Sequence, residues 1–183
     1  MIALAFNSLF APRETIRRIL RLPYDRNVFL LAAGLLACVS GIVNGLFVPT
    51  LDGSATAPIA VAIRQMVLFA VLAFAIDRLG RMFGGKGTFD GALRVVVWHS
   101  AVEVIAMVIM FVSVVIFGAL GQLALVVMLF WLFYILAVFV QELHGFKSLF
   151  LTIVGLIAGG IAIGIPAMLI LAALGLVNLE AMT

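Results

Sequence analysis

The sequence predicts an all-α protein, a polytopic membrane helix bundle with five transmembrane helices and a short amphipathic N-terminal helix. Hydrophobic residues make up 66% of the 183-residue chain and charged residues only 10%, whereas a soluble domain carries about 25% charged residues. So few charges cannot cover a water-facing surface, which makes lipid the expected solvent. The apolar residues also fall into long uninterrupted segments, and lysine and arginine concentrate between some of them.

Residues 1–26 are predicted to form a cytosolic lead-in. Pro12 suits the first turn of a helix, and Ile16 and Ile19 then fall on one side. The other side is largely basic, with Arg13, Arg17, Arg18 and Arg21. This pattern is typical of an amphipathic helix at the level of the lipid headgroups. We expect it to anchor the chain to the membrane surface, and a partner-binding arm is the alternative.

Residues 27–183 are predicted to form the transmembrane domain. Its spans are expected at about 27–48, 59–83, 91–117, 122–142 and 149–177, each near or above the roughly 20 residues that cross the hydrocarbon core. Pro49–Pro58 is expected to form an outer loop. The stretch from Val104 to Gln141 has no charge over 38 residues and is too long for one straight span, so a helical hairpin with a tight turn near Gly118 is predicted.

The distribution of positive charge predicts the orientation. Ten of the eleven basic residues fall on one side of this arrangement: Arg13, Arg17, Arg18, Arg21, Arg26, Arg78, Arg81, Lys86, Arg94 and Lys147. Cytoplasmic loops carry the excess of lysine and arginine. We therefore expect a multi-pass protein of a cell inner (plasma) membrane, with the N-terminus in the cytoplasm and the C-terminus outside.

Three acidic or basic residues lie well inside the predicted spans, away from their inner ends, namely Arg64, His99 and Glu103. A charge at a helix centre costs about 2.5–3.5 kcal/mol on insertion scales, so we hypothesise that Arg64 and Glu103 pair. Such a pair either fixes the helix register or lines a polar cavity or proton path. His99 and Glu103 are four residues apart and share a helix face. Further ligands at helical spacing are lacking, so no metal site and no cofactor are predicted.

Two inner turns are candidate contact surfaces for a partner. One contains Gly84, Gly85, Lys86, Gly87, Thr88 and Phe89, and the other contains Glu142, His144, Gly145, Phe146 and Lys147. The first turn matches part of a phosphate-binding loop, but Gly87 stands where serine or threonine is required and a membrane helix precedes it. A flexible turn that ends a helix is therefore expected. Ser148 is expected to cap the last span.

The chain resembles the Yip domain family, the Ypt/Rab-interacting proteins, and in particular their bacterial-type members. The resemblance rests on a basic N-terminal segment, Phe10-Ala11-Pro12-Arg13-Glu14-Thr15, ahead of five apolar segments, and on the two inner turns, which read GGKGTF and LHGFKS. It implies a five-helix membrane fold and no catalytic residues. Eukaryotic members are implied to act in vesicle traffic with Rab-type GTPases and to form hetero-oligomers. Their long acidic or aromatic N-terminal segment does not occur in residues 1–26, so GTPase binding is not expected.

Two functions are compatible with these observations. The first is a non-enzymatic membrane scaffold or adaptor that organises other membrane components, in contact with the lipid bilayer and with homo- or hetero-oligomeric partners. No catalytic set and no water-soluble basic domain for nucleic acid occur in the sequence. The alternative is a small-molecule or ion transporter, with proton coupling as one option, that uses Glu103, His99 and Arg64. It would need a water-accessible cavity that reaches Glu103.

Overall fold

The computed structural model describes residues 2–23, 25–47 and 58–173. The regular secondary structure of these residues is entirely helical, which confirms the all-α prediction. The helices are α1 (Ile2–Phe10), α2 (Pro12–Arg21), α3 (Arg26–Phe47), α4 (Pro58–Met82), α5 (Phe89–Phe117), α6 (Ala119–His144) and α7 (Leu149–Ala173). Nearly all of the predicted outer loop and the end of the fifth predicted span lie outside the described residues.

The long helices are apolar. Among the described residues, three stretches are long and apolar enough to cross a membrane, namely Ile59–Met82, Phe89–Phe117 and Ala119–His144. Shorter apolar stretches, Asn27–Ile42 and Leu149–Ala162, lie in α3 and α7. Many large apolar side chains on these helices are exposed, far more than a soluble monomer presents. Lipid is therefore the solvent of this surface, and the chain is a multi-pass membrane protein.

Helices α5 and α6 form the predicted helical hairpin. Only Gly118 separates them, and its φ of 54° is the left-handed conformation that favours glycine. Three residues later, Gly121 lies directly against the backbone of Ser113 and Val114, so closely that a Cβ there would overlap them. The hairpin therefore depends on glycine both to turn the chain and to let the two helices approach.

Helix α5 lies at the centre of the bundle. It packs most extensively on α6 and also contacts α1, α3 and α4, while α7 packs on the outer side of α4 and α6. The core is built from aliphatic and aromatic side chains, and Val95, Val102, Ile135 and Phe139 are each 0% exposed. Burial of this kind, rather than polar contact, holds the middle of the bundle together.

The N-terminal segment is more deeply integrated than a surface lead-in. Trp98 Nε1 donates to Ser8 Oγ at 3.0 Å, and Trp131 Nε1 donates to the Leu9 carbonyl at 2.9 Å. Trp131 precedes His144 by 13 residues and so lies about 20 Å along α6 from that end of the helix. Helix α1 therefore packs along the apolar part of α5 and α6.

Helix α2 also packs on the protein. Its apolar residues Ile16 and Ile19 are 0% and 1% exposed, and its main neighbour is α6. We expected this apolar face to enter the lipid headgroup region, but the bundle itself buries it. The difference arises because helical periodicity identifies an apolar face without indicating whether lipid or protein covers it.

Candidate functional site

One end of the bundle gathers nearly all of the positive charge, and we call it the basic end. It comprises α2, the C-terminal ends of α4 and α6, the N-terminal ends of α5 and α7, and the two turns between them. Its described cationic side chains belong to Arg13, Arg17, Arg18, Arg21, Arg78, Arg81, Lys86, Arg94 and Lys147. Arg64 lies 18 residues before Met82, about 27 Å farther along α4.

A single carboxylate holds α2 on α6 at the basic end. The guanidinium of Arg17 donates to both oxygens of Glu142, at 2.7 and 3.1 Å. Arg13 Nε lies 3.1 Å from Glu142 Oε1, and Arg13 Nη2 donates to Gln141 Oε1 at 2.9 Å. The bidentate hydrogen bond with Glu142 raises the pKa of Arg17 above its ordinary value. We call these four residues the Glu142 clamp.

Arg94 connects the end of α2 to α5. Its Nη1 donates to the carbonyls of Leu20 and Leu22 at 3.2 and 3.1 Å. The last carbonyls of a helix lack partners within the helix, and a nearby cation satisfies them. The guanidinium also lies over the ring of Phe29, 5.8 Å from its centroid. Arg94 thus fixes α2 relative to both α5 and α3.

His144 joins the two inner turns and is only 2% exposed. Lys86 N donates to the His144 carbonyl at 3.1 Å, and Gly87 N donates to His144 Nδ1, also at 3.1 Å. The second bond defines Nδ1 as an acceptor, so that nitrogen carries no proton. The ring of Phe146 stacks on the imidazole at 5.3 Å. The first inner turn, which we expected to be flexible, is therefore fixed to α6.

Glycines form the wall around this imidazole. A Cβ at Gly80, Gly85 or Gly87 would overlap the ring of His144. The glycine-rich turn that partly matched a phosphate-binding loop thus contacts a side chain of this protein. We call His144 and these three glycines the His144 junction.

The structure divides the predicted partner-contact residues into two groups. His144 and Gly87 are buried, and Gly85, Glu142 and Phe146 are partly buried, so these residues support the turns. Gly84, Lys86, Thr88, Phe89, Gly145 and Lys147 are exposed. Met82 and Phe83 are also exposed, by 79% and 67%. These two residues were not among the predicted contact residues, although their position as apolar residues next to a glycine-rich turn is visible in the sequence.

The second candidate region is a groove between α4, α5, α6 and α7. Its volume is about 800 Å³ and its lining is mainly apolar. The polar exceptions form two groups. Gln65, His99, Ser100 and Glu103 lie deep in the groove, and Lys147, Ser148 and Thr152 lie at the basic end. Ser148 Oγ also accepts from Leu151 N at 3.3 Å, as expected for the cap of α7.

The structure brings His99 and Glu103 together and leaves Arg64 apart. His99 Nδ1 is 3.3 Å from Glu103 Oε1, and His99 Nε2 is 3.0 Å from the Leu132 carbonyl. Arg64 is exposed, and no ion pair joins it to Glu103 among the described side chains. Gln65 faces the groove, whereas Arg64 does not line it, because consecutive residues of a helix point about 100° apart. The hypothesised Arg64–Glu103 pair is therefore not formed.

Neither region has the composition of a metal centre. Within the described part of the chain, no three histidine, cysteine, aspartate or glutamate side chains are grouped to hold a metal ion. The Glu142 clamp and the His144 junction consist of contacts that fix helices and turns. The groove differs, because it places a carboxylate and an imidazole at an accessible apolar surface.

Comparison with known proteins assigns the family. A model of the Yip1 domain matches residues 6–178, which include α2 to α7, both inner turns and the groove residues. No curated protein and no solved structure matches the chain. The family match agrees with the resemblance carried by the basic N-terminal segment and the two inner turns. The chain therefore belongs to the Yip1 domain family.

Proposed function

We propose that the chain crosses a bacterial-type inner membrane five times, with its N-terminus in the cytoplasm and its C-terminus outside. Helices α3 to α7 each contain at least 22 residues, and about 20 suffice to span the hydrocarbon core. The basic end supports the orientation, because cytoplasmic segments carry the excess of lysine and arginine. Reporter fusions should place the two termini in different compartments.

Within that membrane, we propose that the protein is a non-enzymatic adaptor that organises other membrane components through its basic end. The observation that carries this proposal is the joint fixation of three segments there. The Glu142 clamp holds α2 on α6, and the His144 junction holds the first inner turn on the second. A surface fixed in advance loses little conformational entropy when a partner binds.

The exposed residues indicate the chemistry of the partner. Met82 and Phe83 provide apolar contact area, and Lys86 and Lys147 add positive charge beside the two turns. Apolar anchors surrounded by charge are typical of protein interfaces. An acidic cytosolic segment of another membrane protein, or of a second subunit in a homo- or hetero-oligomer, fits this surface.

Photo-crosslinking in the native membrane tests the adaptor function. A photoreactive amino acid at Phe83 should yield discrete protein adducts. The matched control is Phe117, which is also a phenylalanine, is 62% exposed and lies beside the opposite turn of the hairpin. It should react mainly with lipid. Equal adduct patterns at the two positions, or no protein adduct at Phe83, would contradict the proposal.

Transport is the second candidate function, and the groove is the observation that favours it. A transporter needs a cavity that reaches its polar residues, and Glu103 lines the groove with a side chain that is 46% exposed. Five helices contain no complete inverted repeat, so we expect that transport would require an oligomer. Proton or solute flux in liposomes, wild type against Glu103→Gln, tests this candidate. Identical flux for both proteins would exclude a transport path through Glu103.

A further inference from the structure

We propose that the groove between α4, α5, α6 and α7 binds a lipophilic organic cation, with the positive charge of the ligand opposite the Glu103 carboxylate. This inference goes beyond the adaptor function, and it requires binding at equilibrium but no transport. It rests on the size of the groove and on the chemistry of its deep part.

The groove has the size and composition of a small-molecule site. Its volume of about 800 Å³ lies within the roughly 300–1,000 Å³ typical of ligand pockets. Apolar side chains from α4, α6 and α7 form most of its lining. Open space lies beside Gly155 and Gly160 of α7, since a Cβ added at either glycine would meet no atom within 4 Å. An uncharged apolar surface of this kind selects a ligand with an apolar body.

The charge of the deep part selects a cation. Glu103 is the one carboxylate among the residues that line the described groove. It follows Phe89 by 14 residues, so it lies about 21 Å along α5 from the basic end. An ionised group in the membrane interior is costly unless it has a partner of opposite charge. The Lys147 ammonium cannot serve, because Lys147 lies at the basic end of the groove.

Two aromatic rings lie at a similar depth. Phe69 precedes Met82 by 13 residues and Phe133 precedes His144 by 11, which places them about 20 and 17 Å from the basic end. The face of an aromatic ring attracts a cation, most strongly when water is excluded. A carboxylate with phenylalanines at about the same depth is the combination that recognises a bulky organic cation.

His99 lies beside the carboxylate. A carbonyl oxygen only accepts hydrogen bonds, so the contact with Leu132 places a proton on His99 Nε2. His99 Nδ1 is 3.3 Å from Glu103 Oε1. A bound cation would supply the carboxylate with a partner of opposite charge.

No other ionisable side chain competes at this position in the described structure. On α4, the polar side chain that lines the groove is the neutral amide of Gln65. On α6, the Leu132 carbonyl and the ring of Phe139 contact His99, and neither is ionisable. The described part of α7 lines the groove with no ionisable side chain. A bound cation would therefore meet no competing charge at Glu103 in the described groove.

Binding of tetraphenylphosphonium to the full-length protein in detergent tests the proposal. We expect saturable binding to the wild type. Glu103→Gln should weaken this binding by at least about tenfold. Gly155→Leu keeps the carboxylate but fills the groove, and it should also weaken binding.

Two controls make the result specific. Glu14→Gln removes an exposed carboxylate of the basic end, which does not line the groove, and it should bind tetraphenylphosphonium as the wild type does. Circular dichroism and gel filtration should show that each variant is folded. Equal affinity of Glu103→Gln and wild type, or a bound phospholipid that no phosphonium displaces, would overturn the proposal.

Discussion

Glu142 and Glu103 both belong to long apolar helices, but their surroundings differ. Glu142 is 15% exposed and is held by two arginines of another helix, whereas Glu103 is 46% exposed and faces a histidine one turn away on its own helix. Glycines differ in the same way, since Gly80 touches His144 while Gly155 faces open space. Polar and close contacts thus fix the basic end, whereas the groove keeps open space at Gly155 and Gly160. This difference associates the basic end with a rigid binding surface and the groove with a small ligand.

The largest expected effect is a difference in the free energy of unfolding between substitutions at two helical glycines. Gly80→Leu should lower the free energy of unfolding by about 3 kcal/mol, because the new side chain overlaps the buried ring of His144. Gly155→Leu should change it by less than about 1 kcal/mol, because the groove accepts the side chain. Reversible unfolding in mixed micelles measures both values. Equal losses would show that the two regions are packed alike.

An intermediate effect is expected on hydrogen exchange in α2 when the two carboxylates, Glu142 and Glu103, are substituted in turn. Glu142→Gln should release α2 and increase amide hydrogen exchange in Pro12–Arg21 by about tenfold, because the glutamine amide cannot replace the charged bidentate contact. Glu103→Gln should leave exchange in α2 unchanged. Glu14→Gln is the control within α2, because Glu14 is exposed and lies outside the Glu142 clamp. Unchanged exchange in Glu142→Gln would mean that the buried apolar residues alone hold α2.

The smallest expected effect concerns the contact of α1 with α5. Ser8→Ala removes the acceptor of Trp98 Nε1 and should cost about 1 kcal/mol, because the indole N–H stays buried without a partner. Ser113→Ala is the control, since Ser113 Oγ only donates to a carbonyl of its own helix, that of Ile109. The same unfolding assay and the tryptophan emission report both changes. A change of equal size for the two variants would indicate that the contact between Ser8 and Trp98 contributes little to the stability of the bundle.

The sequence was sufficient for features that depend on local pattern. Long apolar runs predicted the helices, and the two glycines after Phe117 predicted a hairpin that the structure turns at Gly118. Contacts between distant residues could not be predicted in this way. His144 meets Gly87 across 57 positions, and Arg17 meets Glu142 across 125. Nothing in the periodicity of either segment identifies the other.

The intramembrane polar residues show the same limit. The cost of an isolated charge in the membrane suggested a pair between Arg64 and Glu103, but that cost does not determine the direction in which each side chain points around its helix. The spacing of His99 and Glu103 did predict their shared face. The integration of α1 was also missed, because a helix of nine residues is too short to identify as a membrane-embedded segment.

The single-residue turn at Gly118 has a consequence for the response to bilayer thickness. Helices α5 and α6 contain 29 and 26 residues and are about 43 and 39 Å long, longer than a hydrocarbon core of about 30 Å. One connecting residue does not let them slide past each other. A thinner bilayer must therefore tilt both helices together, and this tilt moves Phe89 and His144, and with them both inner turns, at the same time.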